Sequence, residues 1–220
     1  MKQFVVPFLM CLLFAGAVNA QKKDVAGKAH AKKTQKKPAE TATPSLAIGS
    51  PIPNADAVFQ ATNSKGVSLM QAKTEKGLLV MFSCNTCPYV IKAQKRTQEV
   101  LQYCKEQGIG AVIFNSNEGQ RNGDDSFEEM MKYGVSQHYL YPYLKDDGSQ
   151  MANFFGATRT PEVFLFDDKG TLVYKGAMED NPAEPAKSQQ LYLLQAIRAM
   201  MRGVTPNVAE TKSIGCSIKR

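Results

Sequence analysis

The sequence predicts an α/β domain with a mixed sheet over residues 46–220, and three observations carry that prediction. Leu78-Leu79-Val80-Met81-Phe82 and Ile109–Asn115 are unbroken apolar runs, the pattern of strands buried on both faces. Between them, Pro88–Gln107 is rich in helix formers and stops at Gly108, so a crossover helix joins two parallel strands in the right-handed sense that sterics require. Later, Glu162–Phe166 and Thr171–Lys175 flank the turn sequence Asp167-Asp168-Lys169-Gly170 and read as an antiparallel hairpin. A parallel crossover followed by a hairpin, with helices interspersed, is a mixed-sheet α/β architecture.

The remaining elements follow from local pattern. Pro44, Pro51 and Pro53 mark an extended lead-in. Ala57–Ala61 and Val67-Ser68-Leu69, joined by Asn63-Ser64-Lys65-Gly66, form an N-terminal hairpin extension. In the crossover helix Val90, Ile91, Ala93, Val100, Leu101 and Cys104 line the inner face. A helix over 124–133 starts at Asp124, Asp125 or Ser126 and turns Phe127, Met130 and Met131 inward. Ser149–Phe155 is a short helix closed by Gly156, and 186–202 is an amphipathic helix with Leu191, Leu194, Ile197 and Met201 on one face.

Two segments precede the domain. Residues 1–20 carry Lys2, an apolar stretch from Phe4 to Val18 and the small-residue end Val18-Asn19-Ala20, which reads as a signal peptide cleaved after Ala20. The run is shorter than the ~20 residues a spanning helix needs. Residues 21–45 hold seven lysines against Asp24 and Glu40 and no aromatic side chain, a disordered Lys-rich tether that can contact an anionic surface. The formal charge of +7 is concentrated there, since from residue 46 onward 19 basic residues face 18 acidic ones. That near-balance gives no basis for nucleic-acid recognition. The expected location is exported, periplasmic or extracellular, where disulfides persist.

Four cysteines remain after cleavage, Cys84, Cys87, Cys104 and Cys216, and four can pair in three ways. Cys84-Asn85-Thr86-Cys87-Pro88 directly follows the first buried strand. Two thiols with two residues between them, where a strand meets a helix, suit thiol–disulfide exchange. A sulfur in the first helical turn faces unpaired N–H groups and the positive end of the dipole, which favour the nucleophilic thiolate. Cys84 is therefore expected at an exposed helix start as nucleophile, with Cys87 one turn on to resolve the mixed disulfide. Cys104 reads as a buried, inert thiol. Cys216 reads as a third redox thiol, a partner of Cys104, or a structural thiol docking the end of the fold. Asp124, Asp125, Glu128 and Glu129 read as helix-start charges, and His138 as a surface histidine.

A strand ending in C-x-x-C, a second parallel strand and a Thr-Pro opening a hairpin resemble the thioredoxin fold, with three layers and a mixed central sheet flanked by helices. The stretch Phe82-Ser83-Cys84-Asn85-Thr86-Cys87-Pro88-Tyr89-Val90 and the segment Gly215-Cys216-Ser217-Ile218-Lys219 are similar to the peroxiredoxin-like redoxins of the alkyl-hydroperoxide-reductase and thiol-specific-antioxidant type. The resemblance covers about residues 46–220. It implies a cis peptide at Thr160-Pro161, whose backbone would pair with bound substrate. Two departures bear on activity. No register fits the peroxide-reactive P-x-x-x-T-x-x-C pattern, and Arg159 falls two residues short of the family's arginine. The buried Asp of thioredoxin would align with Met81, leaving Glu162 or Glu75 as substitutes.

The sequence thus points to an exported thiol–disulfide oxidoreductase with Cys84 and Cys87 catalytic and Thr160 and Pro161 binding substrate. The expected redox group is the Cys84–Cys87 disulfide, with no separate cofactor and no metal. Its partners would be a disulfide-bearing protein or small thiol and an electron donor that the sequence does not name. The alternatives are an antioxidant thiol peroxidase using Cys87 or Cys84 with Cys216 as resolver, and a non-enzymatic carrier of copper or another soft metal on Cys84 and Cys87.

Overall fold

In the computed structural model, which describes Gln3, residues 44–63 and residues 66–220, the chain order places each apolar run where its pattern requires. The expected signal peptide and nearly all of the tether lie outside the described residues. Strands β1 (Val58–Phe59) and β2 (Val67–Ser68) pair antiparallel as the N-terminal hairpin, and Ser68 caps α1 (Leu69–Ala72). The central strand β3 (Leu78–Ser83) leads into α2 (Pro88–Lys92), α3 (Gln94–Gln107) and β4 (Gly110–Asn115). Then come α4 (Phe127–Ser136), β5 (Tyr143–Lys145), α5 (Gln150–Phe155), β6 (Arg159–Thr160), β7 (Glu162–Phe166), β8 (Leu172–Gly176), α6 (Tyr192–Met201) and β9 (Cys216–Ser217).

The main sheet runs β5-β4-β3-β7-β8, with β3 parallel to β4 and antiparallel to β7. Its layering comes from the two-residue period of a strand. Leu79 and Met81 of β3 pack with Val100, Leu101 and Cys104 of α3 and Ile197 of α6 on one face. Leu78, Val80 and Phe82 pack with Met151 and Phe155 of α5 on the other. Phe82 is fully buried there, its ring centroid 5.3 Å from Phe155 and 5.7 Å from Phe164. No helix of the described residues is long and apolar enough to cross a membrane.

Three expectations need correction. The crossover helix is broken at Ala93, whose N–H is shared by the carbonyls of Tyr89, Val90 and Ile91, and Ile91 then faces solvent, 54% exposed. In the fourth helix, capped by Ser126 as one of the three expected caps, Met131 lies outward, while Met130 is buried and Phe127 packs against the core as expected. The final helix begins only at Tyr192, since Pro185–Lys187 closes a separate 3-10 turn and the polar Ser188-Gln189-Gln190 follows it.

Candidate active site

At the end of β3 the chain leaves the sheet through Cys84-Asn85-Thr86, and Cys87 is the N-cap of α2 with Pro88 in its first turn. Proline suits that position because the missing N–H would be unpaired anyway, and it forces the residue before it out of the helical region. Cys87 accordingly has extended φ/ψ of −66° and 123°. This corrects the expected arrangement. Cys87 stands at the helix start, while Cys84 sits in the preceding turn, 1% exposed.

The sulfurs converge on one residue. Cys84 Sγ lies 3.5 Å from the Thr160 hydroxyl, and Cys87 Sγ lies 3.3 Å from the Thr160 carbonyl oxygen. The Thr160-Pro161 peptide is cis, as the resemblance implied. The bonded pair is Cys87–Cys216, with Cα atoms 5.9 Å apart, and Cys84 is a free thiol. The structure therefore differs from the expected Cys84–Cys87 disulfide. Cys216 arrives on β9, which pairs antiparallel with β6 so that Thr160 lies opposite Cys216 and Arg159 opposite Ser217.

Burial dominates the electrostatics of Cys84. It pushes the thiol above its ordinary value, and the nearby Asp125 charge adds to the push. The Thr160 hydroxyl and the N–H groups of Cys87 and Thr86 pull the other way without overcoming it. Cys84 is thus a neutral thiol near pH 7 in this state, which reverses the thiolate expected from its sequence position. Cys104 is also buried and free, and burial alone pushes it up to about 12, in keeping with an inert core thiol.

A buried polar network that the sequence reading missed holds the turn between the cysteines. Asp125, fully buried, accepts from the Asn85 N–H at 2.8 Å, from Asn115 Nδ2 at 2.7 Å and from Asn117 Nδ2 at 2.9 Å. Tyr143 donates its hydroxyl to Asn85 Oδ1 at 2.8 Å, and Asn85 Nδ2 donates to the Asp124 carbonyl. Asp125 is therefore a carboxylate of the site, correcting its reading as a helix-start charge. Its charge acts on Cys84, whereas Glu162 and Glu75 were the expected substitutes for the buried Asp that serves the second thiol, Cys87. Glu75 is exposed, and Glu162 accepts from the Thr158 and Arg159 N–H groups. Arg159 turns outward, donating to the Gly215 carbonyl and the Ser217 hydroxyl, and His138 is exposed.

The Redoxin family model matches residues 47–191. The chain belongs to the Redoxin family. It is similar to the crystal structure of a hypothetical protein, SMc02350, from Sinorhizobium meliloti 1021, at 30% identity and a TM-score of 0.71 over 80% of this chain and 96% of that one. It is also similar to an uncharacterized conserved protein from Geobacillus kaustophilus, at 27% identity and a TM-score of 0.73 over 79% and 92%. A putative thiol:disulfide interchange protein DsbE from Chlorobium tepidum shares the fold at 19% identity and a TM-score of 0.55 over 71% and 99%. No curated protein matches the chain. This redoxin has a thioredoxin-like fold, and its β9 with Cys216 lies beyond the span that the family model matches.

Proposed function

We propose that this redoxin is a thiol–disulfide oxidoreductase in which Cys87 bonds to the substrate sulfur and Cys84 is the internal thiol that resolves the bond. One observation carries the reading. Cys87 is disulfide-bonded to a cysteine held in extended backbone directly opposite Thr160, the residue before the cis-proline. That is the arrangement a mixed disulfide with a docked substrate requires. The roles are the reverse of those suggested by chain order, because Cys87 caps the helix and carries the bond to Cys216, while Cys84 is the free thiol.

In the reducing direction the Cys87 thiolate attacks a substrate disulfide, forming a Cys87–substrate bond and expelling one substrate thiolate. Cys84, losing its proton, then attacks Cys87 Sγ, forms the Cys84–Cys87 disulfide and expels the second thiolate, which is protonated. Two electrons pass from the protein dithiol to the substrate, and the opposite direction is the same path reversed. Thr160 meets both sulfurs: its hydroxyl favours ionisation of Cys84, the resolving thiol, while its carbonyl oxygen lies 3.3 Å from Cys87 Sγ. The outward engagement of Arg159 favours disulfide over peroxide as substrate, since peroxide cleavage draws on a donor aimed at the reacting oxygen. The apolar N-terminal stretch, read as a signal peptide, supports a location outside the reducing cytosol for this chemistry.

The double variant Cys84→Ser with Cys216→Ser tests the assignment. Mixed with a disulfide substrate, it is expected to accumulate a covalent adduct at Cys87, read by mass spectrometry. Adducts that instead form at Cys84 in a Cys87→Ser with Cys216→Ser chain would return the nucleophile's role to Cys84.

A further inference from the structure

We infer that the Gly215–Lys219 segment is a built-in substrate mimic that closes the peptide-docking edge of the site, so that an extended cysteine-bearing polypeptide reaches Cys87 only by displacing it. The inference rests on the proposed role of Cys87 as the substrate-facing sulfur. An unpaired strand edge beside a reactive sulfur is a template for an incoming strand. Here β9 already occupies that edge, and its Cys216 stands where the substrate cysteine would stand.

The segment is held by more than its disulfide. The Ile218 N–H donates to the Thr158 carbonyl at 3.1 Å, and the Ile218 side chain is buried in the core face that includes Phe155 and Ala157. The Lys219 N–H donates to Asn117 Oδ1 at 2.9 Å, while the Lys219 carbonyl accepts from the Gly119 N–H at 2.8 Å. Arg220 donates to Asn153 and to the Ala157 carbonyl. Asn117 in turn donates to Asp125, so one carboxylate supports both the Cys84–Asn85 turn and the anchor of the blocking strand. Reduction of Cys87–Cys216 therefore leaves the strand docked.

Gly215 shows how closely the mimic is seated. A Cβ at this position would collide with the Thr160 carbonyl and crowd the nitrogen of Pro161. The backbone of Gly215 is not in the left-handed region, so contact with the cis-proline peptide, and no conformational demand, is what requires glycine there. A side chain at 215 must lift the strand from the edge.

The test uses the full chain with Cys84→Ser and Cys216→Ser, alone and with Gly215→Val added. Two probes are compared: cystamine, and an extended cysteine peptide carried as its mixed disulfide with cysteamine. In both reactions Cys87 thiolate forms the new disulfide and cysteamine leaves. Gly215→Val is expected to raise the peptide-to-cystamine rate ratio by about tenfold or more, because a tethered strand at an effective concentration on the order of millimolar no longer competes. Ile218→Ala, which loosens the anchor without touching the edge, serves if Gly215→Val does not fold and is expected to raise the ratio in the same direction. An unchanged ratio in the folded variants overturns the inference and leaves the role of Cys87 standing. No adduct at Cys87 from either probe overturns that role, and the inference with it.

Discussion

Cys84 and Cys104 are both free, both buried, and both pushed toward the neutral thiol by loss of water, but their surroundings divide them. Cys104 faces the side chains of a packed core and is shifted by burial alone. Cys84 has a hydroxyl, two backbone N–H groups and a buried carboxylate within reach, with the Cys87–Cys216 bond meeting the same threonine. Burial does not decide which sulfur does chemistry. Polar partners fixed in advance, and a second sulfur in range, do.

The comparison is most severely tested at Asp125, since Cys104 has no counterpart to it. Asp125→Ala strips three buried donors of their acceptor and is expected to cost on the order of 3 kcal/mol or more of stability, read by denaturant unfolding. A loss of only a few tenths would mean that the network does not hold the cysteine turn. A smaller effect sharpens the other half. A thiol whose folded pKa lies above its unfolded one stabilises the fold fully below the unfolded value and loses that contribution as pH rises through the folded one. For Cys104 the window runs from the ordinary 9.0 to about 12. Cys104→Ala should therefore flatten the alkaline fall in stability by about 1.4 kcal/mol per pH unit within that window. An unaltered slope would show that Cys104 is not sealed from water.

Much of the fold was legible because its signals are local. Two apolar runs, a Gly-terminated helix and an Asp-Asp-Lys-Gly turn specify the crossover and the hairpin, and each occurs at β3, β4, β7 and β8. Cys84, Cys87, Thr160, Pro161 and Cys216 were each recognisable as candidates. Their mutual arrangement was less so. Pro88 did contain the signal that Cys87 must be extended and cap the helix, and the C-x-x-C spacing overshadowed it. Asp125 is 40 residues from Asn85 and reads locally as one more acidic residue before a helix, so only the topology reveals it as a buried acceptor. The Cys87–Cys216 pairing spans 129 residues and depends on where β9 returns, which no periodicity in the chain encodes.

The most direct test of the account is to map the disulfides of the oxidised chain after an acid quench, in the wild type and in Cys216→Ser. The account predicts Cys87 joined to Cys216 in the first, with Cys84 and Cys104 reduced, and Cys84 joined to Cys87 in the second. Finding Cys216 bonded elsewhere, or Cys84 and Cys87 both left as thiols when Cys216 is absent and oxidant is present, would contradict it.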